Sequence, residues 1–182
     1  MIRTFRAAAL AVATFGCALA IGTGVSAPAP GIAAPVTASA TFSGTLEQQV
    51  AAAARVETDD REQDCLASAV YFEARGEELK GQLAVANVVL NRVASSKYPD
   101  TVCEVVEQPW QFSFVNATGR IPEADRSSDA WRSAVAIARI AQAGTARAVD
   151  SDVLWYHAEY VSPSWGRRLA RQDKIGLHIF YS

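Results

Sequence analysis

Hydrophobic and polar positions divide the chain into stretches of different character. Residues 7–20 form an uncharged apolar run, residues 28–44 show no periodicity, and residues 45–64 turn polar and acidic. From about residue 60 onward, apolar residues recur at helical spacing. Asp60 followed by Gln63 signals a helix start. Leu66, Ala69, Val70 and Glu73 then fall on neighbouring faces of that helix. Gly76 predicts a left-handed C-cap. Glu77 and Glu78 are expected in the first turn of the next helix, where negative charge meets the positive end of the dipole. That helix, residues 79–93, is apolar nearly all round, with Leu83, Val85, Val88, Val89 and Leu90, which predicts burial at the domain centre. Asn87 and Asn91 interrupt it one turn apart. Buried amides need partners, so both are expected to bond a neighbouring loop.

Beyond it, Tyr98-Pro99-Asp100 reads as a turn and residues 101–106 as a short helix carrying Cys103. Residues 127–129 cap a further amphipathic helix, with Trp131, Ala134, Val135 and Ala138 on one face and Gly144 closing it. Residues 153–157 and 177–181 are β-branched and aromatic runs that predict short strands. The expected fold class is therefore α+β, mainly helical, in one domain with a small β element.

The N-terminal pattern predicts export. Arg3 and Arg6 precede the apolar run, and Val25-Ser26-Ala27 supplies small residues for cleavage, so residues 1–27 read as a signal peptide. Cleavage after Ala20 is a second option. A retained membrane anchor is the alternative, because no charge appears between Arg6 and Glu47. Residues 28–59 are expected to form a flexible Ala/Pro-rich and then acidic linker, with at most a marginal helix over residues 46–56. The folded domain is expected over residues 60–182.

At 182 residues the chain has room for one domain with a real core, and a net charge of −2 without a basic stripe argues against a nucleic-acid partner. Export would leave Cys65 and Cys103 in an oxidising compartment, where a disulfide persists; two buried free thiols are the alternative.

Chemistry concentrates at the corner between the two central helices. Glu73 lies in the last turn of the first, beside Phe72. A carboxylate among apolar neighbours has its charged form disfavoured, as a general acid working near neutral pH requires. The alternative is a surface glutamate paired with Arg75, Lys80 or Arg92. Downstream, Trp110, Phe112, Phe114, Trp155, Tyr156 and Trp165 are interleaved with Gln108, Gln111, Ser113 and His157. Sugars present apolar ring faces and hydroxyls, so aromatic platforms beside amides suit a carbohydrate groove; a plain core is the competing reading. His157 and His178 could join Glu73 in a metal site, but neither sits in a metal-binding motif, and no cofactor or metal is expected.

Five pieces resemble the SleB-type cell wall hydrolases: AVYFEARGE (residues 69–77), GQLAVANVVLNRV (81–93), Pro99 with TVCEVV (101–106), QFSF (111–114) and IGLHIFY (175–181). Their order and spacing cover essentially the whole expected domain. The resemblance implies a lysozyme-like, lytic transglycosylase-like domain acting on peptidoglycan glycan strands, with residues 60–182 as its catalytic domain and Glu73 as acid/base. It implies cleavage between N-acetylmuramic acid and N-acetylglucosamine. Gln111, Phe112, Ser113, Tyr156, His157 and His178 are the expected groove residues. A metal-dependent wall amidase and a non-catalytic glycan-binding module are the alternatives. The expected setting is the periplasm or cell wall, with the protein a monomer. QFSF stands where the family often has QFSW, and the chain has a tether where germination enzymes often carry a peptidoglycan-binding repeat domain.

Overall fold

The computed structural model describes residues 42–182. The elements are α1 (Leu46–Ala53), α2 (Arg61–Ala74), α3 (Leu79–Val93), α4 (Val102–Val106), α5 (Asp129–Ala143), β1 (Trp155–Ala158), a 3-10 turn (Ser164–Arg167), β2 (Arg171–Ile175) and β3 (His178–Tyr181). The expected signal peptide, residues 1–27, and most of the Ala/Pro-rich tether lie outside the described residues.

Helix α3 is buried on both sides, and this explains its nearly uniform apolar sequence. Leu83, Ala86 and Val89 join a large core with Leu66 and Val70 of α2, Val105 of α4, and Trp131 and Ile137 of α5. Ala84 and Val88 face the other way, onto Val149, Val153, Ile175 and Phe180 beneath the sheet. Asn87 and Asn91 fasten the chain that leads into β1. Asn87 Oδ1 accepts from the Ala148 amide at 2.7 Å, and Asn91 Nδ2 donates to the carbonyls of Asp150 and Val153 at 2.7 and 2.9 Å. Both amides thus find the loop partners their burial demanded.

The sheet is antiparallel in the order β1-β3-β2, with Trp155 opposite Tyr181, Tyr156 opposite Phe180 and Ala158 opposite His178. Strand β2 has no counterpart among the strands the sequence pattern predicts. Its sequence is Arg-Gln-Asp-Lys-Ile, exposed at its first four positions, so an edge strand held by backbone pairing shows no hydrophobic alternation.

Several helix ends follow the sequence closely. Asp60 caps α2 by accepting from the Gln63 amide at 2.8 Å, Ser128 caps α5, and Gly144 closes α5 in the left-handed conformation at φ 67°. Gly76 does not behave as expected. Helix α2 ends at Ala74 with Arg75 still right-handed, and Gly76 keeps an ordinary φ. The Glu77 amide closes the turn onto the Ala74 carbonyl at 2.9 Å, and α3 starts only after Glu78. Glu77 therefore stands outside α3, and its carboxylate is free to turn inward.

The stretch before residue 60 is also more structured than its acidic composition suggests. Thr45 and Gln48 form a capping box that starts α1, whose Gln49 and Ala53 are buried. Gln49 accepts from Thr145 Oγ1, the Trp131 indole donates to the Val56 carbonyl at 2.7 Å, and Asp59 pairs with buried Arg139 at 2.9 Å. Residues 42–59 thus dock on α5 and do not serve as a solvated linker. The acid at residue 59 neutralises a buried cation on a distant helix, and no local pattern announces that.

Cys65 and Cys103 are joined in a disulfide with Cα atoms 5.2 Å apart, which ties α2 to α4. Of the two readings of these cysteines, the bonded one holds.

Candidate active site

The α2 C-terminus, the end of α3, the 110–113 segment and β1 border one cleft of about 460 Å³. Glu73 is half-buried and lines it, one residue before α2 ends. Ser113 Oγ donates to Glu73 Oε1 at 3.3 Å, and the Tyr156 hydroxyl donates to Oε2 at 3.1 Å. Two hydroxyl donors from separate elements thus hold one carboxylate in a fixed pose. Among the described residues, Glu73 is the only carboxylate lining the cleft.

Tyr156 reaches Glu73 because the register of β1 against β3 puts it on the same face as His178 and Phe180. Its ring meets theirs at 5.2 and 5.7 Å. Burial, reinforced by the Glu73 charge, pushes the phenol well above its ordinary pKa, so it stays a hydrogen-bond donor throughout the physiological range.

Arg92, in the last turn of α3, supplies the opposing charge. Its guanidinium is almost fully buried, and Nε donates to the Leu154 carbonyl at 2.9 Å. With its amide turned to satisfy both partners, Gln111 accepts from Nη1 and Nη2 at 3.1 and 3.3 Å. The rings of Tyr98 and Phe112 flank the guanidinium at 5.2 and 5.5 Å. Burial lowers the Arg92 pKa, while nearby Tyr156, Tyr98 and Glu73 oppose that shift. A guanidinium remains a cation at neutral pH even so.

The two histidines differ. His178 is buried, and burial outweighs the pull of Glu77 and Glu73, lowering its pKa and favouring the neutral ring. Its Nδ1 lies 3.8 Å from Glu77 Oε1, beyond hydrogen-bond range, and finds no partner among the described residues. Glu77 instead accepts from the Leu177 amide at 3.1 Å, pinning the β2–β3 turn to the helical corner. His157 has both nitrogens engaged. A carbonyl can only accept, so Nδ1–H donates to the Ala158 oxygen at 2.9 Å, and Nε2 then accepts from the Tyr181 hydroxyl at 2.8 Å.

All seven expected site residues thus border one cleft: Glu73, Gln111, Phe112, Ser113, Tyr156, His157 and His178. Phe112 offers the least open surface. Only 4% of it is exposed, and its ring packs against Phe114 and Arg92, so it forms part of the cleft wall chiefly by packing. The metal alternative loses its basis, because His157 stacks on Tyr181 on one face of the sheet while His178 packs with Tyr156 and Phe180 on the other. Arg92 is a further site group, outside the expected set. The signal was present: a guanidinium next to Asn91 in an otherwise apolar helix must find buried partners. Glu77, expected as a helix-terminal charge, instead holds the Leu177 amide.

With this geometry in view, comparison with known proteins is direct. A family model described as Cell Wall Hydrolase matches residues 76–181, a span that runs from the helical corner through β3. The chain belongs to the cell wall hydrolase family. The spore cortex-lytic enzyme of Bacillus cereus is 36% identical over 115 residues, which cover 63% of this chain and 42% of that protein. That of Bacillus subtilis strain 168 is 50% identical over 56 residues, covering 31% and 18%. The chain thus spans less than half the length of these relatives. Among solved structures, the catalytic domain of the Bacillus cereus SleB protein superposes with a TM-score of 0.55 at 32% identity, covering 71% of this chain and 95% of that one. The catalytic domain of the germination-specific lytic transglycosylase SleB from Bacillus anthracis gives 0.52 at 31%, covering 66% and 93%. The mainly helical, lysozyme-like fold with a small sheet is shared with these domains. Glu73 lies three residues before the family match begins.

Proposed function

We propose that the chain is a lytic transglycosylase that cleaves peptidoglycan between N-acetylmuramic acid and N-acetylglucosamine, with Glu73 as its single acid/base. The observation that carries this reading is a cleft lined by one carboxylate, held by two hydroxyls. Ordinary glycosidases need a second carboxylate, as nucleophile or as base for water. An intramolecular nucleophile removes that need. Protonated Glu73 delivers its proton to the glycosidic oxygen as the C1–O bond breaks. The resulting carboxylate then takes the proton from the muramic C6 hydroxyl while O6 bonds to C1, closing a 1,6-anhydro ring. The proton count on Glu73 is restored and no water is consumed. Tyr156 and Ser113 stabilise the carboxylate between the two steps, and the Arg92–Gln111 pair supports the cleft wall beside them.

Membership of the cell wall hydrolase family and likeness to a SleB catalytic domain described as a lytic transglycosylase support the same reading. Peptidoglycan lies outside the cytoplasmic membrane, so the reading also calls for export, with residues 1–27 as the signal peptide. The domain acts as a monomer in the periplasm or wall, and Gln111, Ser113, Tyr156, His157 and His178 bind the strand.

The test is mass spectrometry of purified peptidoglycan digested by the chain and by Glu73→Gln. Anhydromuropeptides from the wild type, and none from a folded Glu73→Gln, are expected. Reducing-end sugars would mean that water is the nucleophile. Released peptides with intact glycan would make the protein an amidase.

A further inference from the structure

Among the described residues, Trp110 is the one residue other than glycine with a positive φ, at 67°. It follows Pro109 in a turn closed by the Gln111 amide on the Gln108 carbonyl at 3.2 Å. Proline at the second position and a positive φ at the third are the pattern of a type II turn, whose third position favours glycine. A tryptophan there is strained, and strain of this kind persists where the side chain or its placement is used.

The indole does not repay the strain by packing. It is 83% exposed. A large exposed apolar side chain calls for an explanation when others gather near it. Four large hydrophobics are strongly exposed among the described residues: Trp110, Tyr160, Val161 and Leu177. Three of the four (Trp110, Tyr160 and Val161) line the cleft that holds Glu73. They come from two separate segments, the turn before Gln111 and the loop that follows β1.

We propose that Trp110 is a glycan-stacking platform at the rim of the cleft, held in place by its strained turn, with Tyr160 as a second aromatic contact to the same strand. The ligand class is a pyranose ring of a peptidoglycan strand, bound through its apolar face. A flat, rigid, solvent-facing indole suits that face and loses little conformational freedom on binding. No formal charge is needed for the contact, which matches a neutral N-acetylated sugar. The proposal rests on the glycan-cleaving reading given above.

The experiment uses the Glu73→Gln chain, which holds substrate without cutting it, alone and combined with Trp110→Gly or Trp110→Phe. Binding to purified insoluble peptidoglycan and the melting temperature are read for each. Trp110→Gly is expected to melt at the same temperature or higher, because glycine accepts the left-handed turn, and to bind peptidoglycan about tenfold more weakly. Trp110→Phe is expected to keep part of the binding. In the cleaving chain, Trp110→Gly should raise KM for long strands and leave kcat nearly unchanged. Equal binding with and without the indole would overturn the platform and leave the glycosidase reading standing. A steep loss of melting temperature in Trp110→Gly would make the indole structural and overturn it too. If the parent chain neither binds nor cleaves peptidoglycan, the functional reading falls and the platform with it.

Discussion

The Tyr156 hydroxyl donates to Glu73 Oε2 at 3.1 Å from 83 positions further along the chain. The bond joins the helical half of the domain to the sheet at the carboxylate that lines the cleft. Tyr156→Phe keeps the ring packing against Phe180 and His178 and removes only the donor. A hydrogen bond to a charged group contributes about 1.5–3 kcal/mol, so kcat on peptidoglycan should fall by about 10- to 100-fold. The melting temperature should change little. Turbidity clearing of purified walls, with a parallel melting scan, checks both; an unchanged rate would remove Tyr156 from the machinery.

The disulfide offers a stability test independent of catalysis. It spans 38 positions, and closing a loop of that length stabilises the fold by about 4 kcal/mol in the chain-entropy model. Cys65→Ser with Cys103→Ser, or wild type in reductant, should melt roughly 10 °C lower or more. Thiol titration under native conditions should find neither Cys65 nor Cys103 free, so that any titrating thiol is Cys17.

Burial holds the His178 pKa below its ordinary 6.5, although the carboxylates of Glu77 and Glu73 work the other way; His157 adds to the lowering. The unfolded chain therefore takes up this proton at a higher pH than the folded one. The stability contributed by a neutral His178 is present above pH 6.5 and is lost as the pH falls through that value toward the folded pKa. Melting temperatures measured from pH 8 to pH 5 should drop on the acid side, and the drop should be shallower in His178→Gln. Parallel curves for the two proteins would assign the acid sensitivity elsewhere.

Gly176 and Gly76 make a controlled pair. Gly176 is left-handed at φ 57°, and a methyl group there would run into the Glu77 carboxylate. Gly76 has an ordinary φ and open space around it. Gly176→Ala should cost about 1–2 kcal/mol or more from the left-handed backbone alone, whereas Gly76→Ala should be close to neutral. Urea denaturation of the two variants measures the contrast.

What a local pattern could carry, the sequence carried. The extent of α3, the caps at Asp60 and Ser128, and the left-handed stop at Gly144 depend on neighbours a few positions away, and so were legible. The partners of Asn87 and Asn91 were legible in kind, since a buried amide must bond something, but not in identity. The resemblance spread over residues 69–181 located Glu73 and most of the cleft. Strand β2 was illegible because an exposed edge strand needs no apolar alternation. Helix α1 falls within the marginal helix expected over residues 46–56, but its docking was illegible because its partners lie on and just beyond α5, nearly a hundred positions away.

By itself, then, the sequence determined the helical core, the corner at Glu73 and the family. Tertiary structure alone decided which side chains meet that carboxylate. It put Tyr156 and Ser113 on Glu73, packed Phe112 into the cleft wall against Arg92, set the histidines on opposite faces of a sheet and turned Glu77 inward toward Leu177. The physical reason is range. Helix propensity and capping act over one or two turns, whereas strand register and the packing of α3 bring together residues that share no local pattern.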